Sequence, residues 1–209
     1  MRAAIQIVLI AAIIVLSYML YESIETPIRF NKVRKIREAA TIERLKEIRT
    51  AEIAYRAVHQ SYTGSFDTLV SFLRTDSFKV VKRIGSIPDS LYEAGMTDKE
   101  ALRRGLISRD TIRISVLDSL FKPGFNVDSL RYVPYTHGHE FEMGAGELET
   151  ASKVTVKVFE AKVPYDILLA GLDPQLIINY KEEREKITGY PGLRVGSLEE
   201  ATNNAGNWE

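Results

Sequence analysis

The chain has no cysteine, and only three histidines and one tryptophan among its 209 residues. Without cysteine there is no disulfide framework, no thiolate metal site and no cysteine nucleophile. An excess of charge is missing too, because 28 basic residues cancel 28 acidic ones. Nucleic-acid binders are normally strongly basic, so that class is disfavoured. The sequence holds no Walker-type phosphate loop and no serine-centred elbow. Gly144-Ala145-Gly146 lacks the strand–helix context of a dinucleotide fingerprint. Internal repeats and low-complexity segments are also missing. Together these absences read as a non-enzyme.

What is present is one long apolar run. Residues 3–20 carry no charge, and Gln6 and Ser17 are their only clearly polar side chains. Such a stretch approaches the ~20 residues needed to cross the hydrocarbon core as a helix. It predicts a membrane anchor over residues 1–26, with Ile5, Val8, Leu9, Ile13, Leu16 and Leu20 toward lipid. Tyr18 and Tyr21 stand at its far end, where amphipathic rings favour the headgroup region. The run exceeds the ~7–15 apolar residues of a signal peptide, and residues 21–25 show no small-x-small cleavage pattern. Arg29, Lys32, Arg34, Lys35 and Arg37 follow it, against Arg2 alone before it. Taken by itself, the positive-inside rule places the rest of the chain in the cytoplasm. Contact of that basic run with anionic headgroups is also reasonable.

Pro27 is expected to break or kink the helix just past the anchor, because it lacks an N–H and its ring clashes with the preceding turn. Helical periodicity then resumes from Asn31 to Tyr62, a stalk over residues 27–62. Leu45, Ile48, Ala51, Tyr55, Val58 and Tyr62 recur at spacings of three and four, predicting one packing face. On the charged remainder, Glu52 and Arg56 are spaced for an i,i+4 pair. The C-terminal half of the stalk is expected to pack on its own head, and the N-terminal half to project toward partner helices.

Residues 63–209 predict an α+β head. After Gly64, Ser65 is the expected N-cap of a short helix with Phe66, Leu69, Val70 and Leu73 inward. A strand or helix end is expected over 78–84, and a short helix over 97–105 with Thr97 as N-cap. A strand or buried turn is expected over 113–117. Residues 130–135 and 139–143 have hairpin spacing, and 154–161 is β-rich, with Val154, Val156 and Val158 sharing one face. The antiparallel sheet is therefore placed largely within 130–160. Residues 165–172 are ambiguous, Asp173-Pro174 starts a helix through about Lys186, and 193–195 adds a short strand.

His137-Gly138-His139 would share a strand face as metal ligands, but no third ligand lies nearby in sequence and a polar turn is the simpler reading. Glu182, Glu183 and Glu185 are interleaved with Lys181, Arg184 and Lys186, as on a solvated helix face. No catalytic residue is identified. Metal ligands are likewise unassigned.

An apolar anchor, a proline, an amphipathic helix and then Tyr62-Thr63-Gly64-Ser65-Phe66-Asp67-Thr68-Leu69 together resemble type IV pilins and the pseudopilins of type II secretion. The Gly206-Asn207-Trp208 ending is similar to that of major pseudopilins. There is no Gly-Phe processing site before the apolar run, and Gln6 is the only polar residue where those families place a glutamate. The resemblance implies a pilin-like head on a long helix, and a structural subunit of a bacterial envelope assembly or secretion apparatus. It implies an anchor in the bacterial inner membrane and a periplasmic head. Membrane lipids and envelope subunits, including further copies of the chain, are the implied partners. It also implies a calcium loop formed by Glu199, Asn203 and Asn204; the alternative is that Trp208 simply packs and tethers the terminus. A different class, a membrane-anchored ligand-recognition or sensory module, would require a concave apolar pocket in the head.

Overall fold

The computed structural model describes residues 2–93, 95–150 and 152–209, without the side chains at positions 2–4, 8, 83, 90 and 92. One helix dominates it. Helix α1 (Arg2–His59) has 58 residues, a length of about 87 Å at ~1.5 Å per residue. It continues through Pro27, so the expected break does not occur. Proline removes one N–H and leaves the turn otherwise intact. The Pro27 carbonyl also accepts from the Asn31 side chain at 2.9 Å, which adds a polar contact on the following turn.

Around the second half of α1 the head is wrapped in chain order. Helix α2 (Phe66–Thr75) buries Phe66, Leu69, Val70, Phe72 and Leu73, as the apolar spacing predicts. Ser65 is its N-cap by position, although its side chain makes no capping bond. Strands β1 (Ser77–Ile84) and β2 (Ser108–Ser115) form a separate antiparallel ribbon. Between them lie α3 (Asp89–Glu93) and α4 (Asp98–Arg103). The Thr97 side chain caps α4 by accepting from the Glu100 N–H. Ile87, Ala101 and Ile107 form a small core of their own at this tip. The chain re-enters the head at α5 (Val116–Leu120), where the Val116 N–H donates to the Asp76 carbonyl at 3.1 Å.

A 3-10 turn at Val127–Arg131 precedes β3 (Glu142–Glu149), and β4 (Thr155–Pro164) follows. Then come α6 (Tyr165–Leu168), α7 (Pro174–Thr188) and β5 (Gly192–Gly196). The order β3-β4-β5 is antiparallel throughout, so the main sheet lies later in the chain than 130–160. Residues 130–141 give only a Tyr132–Glu140 bridge. Pro134 has no N–H for a ladder, and Tyr135 takes a left-handed φ of 62°. The core cluster takes Phe159, Ala161 and Val163 from β4; of the three valines expected to share a face, Val158 is buried, Val156 half-buried, and Val154, just before the strand, exposed. Helix α7 starts as its sequence predicts, with the Asp173 side chain accepting from the Leu176 N–H. It stops at Gly189, whose φ of 69° suits a residue without Cβ.

Candidate assembly surfaces and the stalk–head junction

From Ile5 to Tyr21 every apolar side chain described on α1 is exposed, including Ile5, Leu9, Ile13, Leu16 and Leu20. The Val8 side chain lies outside the described residues. Among the described residues, α1 is the one helix long and apolar enough to cross a membrane. Its apolar residues surround the axis instead of forming a stripe, which is the pattern of a helix with apolar surroundings.

Beyond this stretch the surroundings become one-sided. Phe30, Thr41, Leu45, Ile48, Ala51 and Glu52 are buried, and Tyr55 is half-buried. Their spacing follows 3.6 residues per turn, with Arg34 and Arg37 between Phe30 and Thr41. The head therefore covers α1 from Phe30, much further toward the N-terminus than the C-terminal half of the stalk. Two expected face residues depart from it. Val58 is 42% exposed, beyond the last covered turn. Tyr62 is buried but lies past the end of α1, where it packs on the Phe159 ring at 5.0 Å.

Two of the five basic flanking residues are engaged in the fold. Arg34 donates to the Tyr180 hydroxyl at 2.7 Å and to Glu38 at 3.1 Å, and its guanidinium stacks 4.3 Å above the Tyr180 ring. Tyr180 in turn donates to Glu38 at 2.7 Å. Burial, and then the Glu38 carboxylate, push the Tyr180 phenol up. Arg37 donates to the Leu168 and Ala170 carbonyls at 2.9 and 3.0 Å, satisfying acceptors at the end of α6. Arg29, Lys32 and Lys35 remain exposed.

Glu52 is a second correction. It forms no ion pair with Arg56; it is fully buried and accepts from the Thr63 N–H at 3.0 Å. Its Oε1 has no hydrogen-bond partner. Desolvation pushes its carboxyl up to about 8, against a smaller lowering effect of the Thr63 bond. Arg56 instead reaches the Tyr62 hydroxyl at 2.9 Å. The signal was available in the sequence: Glu52 lies four residues after Ile48 and three before Tyr55, on the apolar stripe.

The C-terminal residues close the head. Asn207 accepts from the Arg194 N–H at 3.1 Å and donates to the Gly192 carbonyl at 2.9 Å, lying along the outer edge of β5. Val195 and Gly206 form a bridge there. A Cβ on Gly206 would stand 2.3 Å from the Trp208 ring, so the close stacking of backbone and indole requires glycine. Trp208 packs on the core, and Glu209 meets Arg49 at 2.6 Å. The tethering role for Trp208 is therefore in place. Asn204 donates to the Tyr62 hydroxyl at 2.8 Å, and its carbonyl accepts from Arg49. The Glu199 and Glu200 backbone N–H groups cap onto Ser197. Of the three residues expected to form a calcium loop, Asn204 is engaged by side chain and carbonyl and Glu199 by its backbone N–H.

His137 and His139 are exposed in an irregular turn, not on a strand. Among the described residues no three His, Asp or Glu groups converge as metal ligands. The cleft beside Tyr62, Val158, Asn203 and Asn204 measures about 210 Å³, below the ~300–1,000 Å³ of typical ligand pockets, while open surface clefts beside Trp208, beside His59 and beside Arg74 measure about 430, 440 and 560 Å³. The core beneath is filled by Phe159, Tyr165, Leu168, Leu169 and Leu193.

No family model, curated protein or solved structure matches the chain.

Proposed function

We propose that the protein is a single-span membrane-anchored structural subunit, pseudopilin-like, of a bacterial envelope assembly or secretion apparatus. The observation that carries this reading is the division of α1: apolar residues on every side from Ile5 to Tyr21, then the spine of a filled head from Phe30. An apolar helix without intramolecular cover is stable in lipid, where its backbone is satisfied internally. The outer face of the stalk adds Ile28, Ile36 and Ile53, each about half exposed or more and none covered by the head. That face fits packing against partner helices.

The head belongs in the periplasm on this reading. The resemblance to pseudopilins carries this placement; engagement of Arg34 and Arg37 with Tyr180 and α6 only reduces the opposing basic flank, in which Arg29, Lys32 and Lys35 stay exposed. Because the chain lacks cysteine, single cysteines report position cleanly. A cysteine at exposed Ile187 is expected to react with an impermeant maleimide once the outer membrane alone is permeabilised. Labelling only after inner-membrane disruption would contradict periplasmic placement. Cysteines at Ile36 and Ile53 are expected to crosslink to partner subunits in native membranes; recovery of monomer alone at native levels would overturn the assembly role.

A further inference from the structure

The β1–β2 ribbon is unlike the rest of the head. It leaves the core past Phe78, which packs against it, and returns at Val116, and among the described residues neither of its long edges pairs with a further strand. Isolated two-stranded ribbons are marginal in water unless a further strand or a helix covers them. Here Val80, Val81, Ile84, Ile112 and Ile114 are all 36% exposed or more. β1 carries Lys79, Lys82 and Arg83 and no carboxylate. The register sets Lys79 opposite Arg113 and Arg83 opposite Arg109, and like charges directly opposed weaken a strand pair. Lys82 opposite Asp110 is the one complementary pairing of charges. The ribbon thus holds uncovered apolar surface and an excess of basic over acidic residues, two costs that a partner would remove.

The membrane cannot be that partner on the reading given above. The ribbon is rooted beside the far end of α1, where His59 meets Asp76 at 3.3 Å. His59 lies about 45 Å along the helix from Arg29. An eight-residue strand reaches only about 26 Å.

The chain itself offers a matching strand. β3 is the open edge of the main sheet, since β5 on the other side is covered by the tail. Like β1 it is eight residues long, and it carries Glu142, Glu147 and Glu149 and no basic residue. It also sits at the height of the ribbon's root: Lys157 is 3.9 Å from Glu147 and donates to the Gln60 carbonyl at the end of α1. Two copies anchored side by side would present these strands to one another at the same level.

We propose that the cationic β1 edge of one copy pairs with the acidic β3 edge of a second copy. This deepens the structural-subunit reading and rests on it, giving the assembly a lateral contact separate from the stalk. Backbone hydrogen bonds between the edges join the two sheets, and burial of the Val80, Val81 and Ile84 side chains drives the contact. Because different surfaces meet, the contact is heterologous and propagates.

The test uses the full chain in detergent and in lipid nanodiscs at low salt, with mass measured by light scattering. The wild type is expected to self-associate, and 0.5 M salt to weaken association at least tenfold. Combined Lys79→Glu, Lys82→Glu and Arg83→Glu is expected to give monomers, as is combined Glu142→Lys, Glu147→Lys and Glu149→Lys. Mixing the two reversed variants is expected to restore association. A Val81→Cys copy should form a disulfide with an Ala145→Cys copy, while neither variant links to itself. A monomeric wild type, or association unchanged by both reversals, would overturn the proposal. The stalk crosslinks at Ile36 and Ile53 report the assembly role independently, so the failure of one contact is distinguishable from failure of the other. Circular dichroism of each variant checks that the head remains folded.

Discussion

The two halves of α1 share one unbroken backbone but have opposite surroundings. Between Ile5 and Tyr21 the described apolar residues point in every direction and nothing among the described residues covers them. Between Phe30 and Tyr55 a single stripe is buried and the opposite face carries Lys32, Lys46 and Thr50. What separates the halves is distribution, not hydrophobicity: a helix buries intramolecularly only what it can gather onto one face.

Substitutions can sharpen that difference. The largest effect is expected from Leu45→Ala, because Leu45 is fully buried at the centre of the stripe. Loss of its side chain and the resulting cavity should cost the head about 2–5 kcal/mol. Leu16→Ala, on the uncovered half, should shift head unfolding by less than about 0.5 kcal/mol. Chemical denaturation in detergent measures both, and equal losses would erase the distinction.

Next in size is Glu52→Gln. The folded carboxyl titrates at about 8 against an ordinary 4.5. The unfolded chain therefore releases this proton first as pH rises, so stability is full below about 4.5 and falls through to about 8. At ~1.4 kcal/mol per pH unit the ceiling is several kcal/mol. Glutamine keeps an acceptor for the Thr63 N–H and cannot ionise. We expect Glu52→Gln to flatten the decline between pH 5 and 8 in thermal unfolding; a slope equal to the wild type would contradict the burial of an uncompensated carboxyl.

Arg37→Ala should have a smaller effect, about 1–3 kcal/mol, through the two carbonyls it leaves at the end of α6. Smallest of all is Glu43→Gln on the exposed stalk face, where the pair with Lys46 should be worth less than about 1 kcal/mol. Denaturation midpoints at fixed pH rank the two.

Much of this architecture is legible in the sequence. The apolar run, the inward set of α2, the Thr97 cap, and the start and stop of α7 all rest on local chemistry: periodicity, side-chain acceptors, proline and glycine. The long reach of the head along α1 was legible too, in the backward series from Leu45 through Thr41 and Arg37 to Arg34 and Phe30. It was obscured because polar residues occupy the stripe and find partners only in the folded head. Long-range pairing was less readable. Nothing local indicates that β1 would pair with β2 across an intervening helical tip, or that residues 130–141 would yield only one bridge. Glu52 was legible only from its place on the apolar stripe between Ile48 and Tyr55, a signal masked by a spacing that equally suits an Arg56 pair.

The most direct measurement of the divided helix is maleimide labelling of three single-cysteine variants in sheared, two-sided membrane vesicles. Ile187→Cys, exposed on the head, should label throughout, and Ile48→Cys only after urea unfolds the head. Ile13→Cys should stay protected in lipid even in urea. If Ile13→Cys labels as readily as Ile187→Cys in intact bilayers, the first half of α1 does not lie in the membrane.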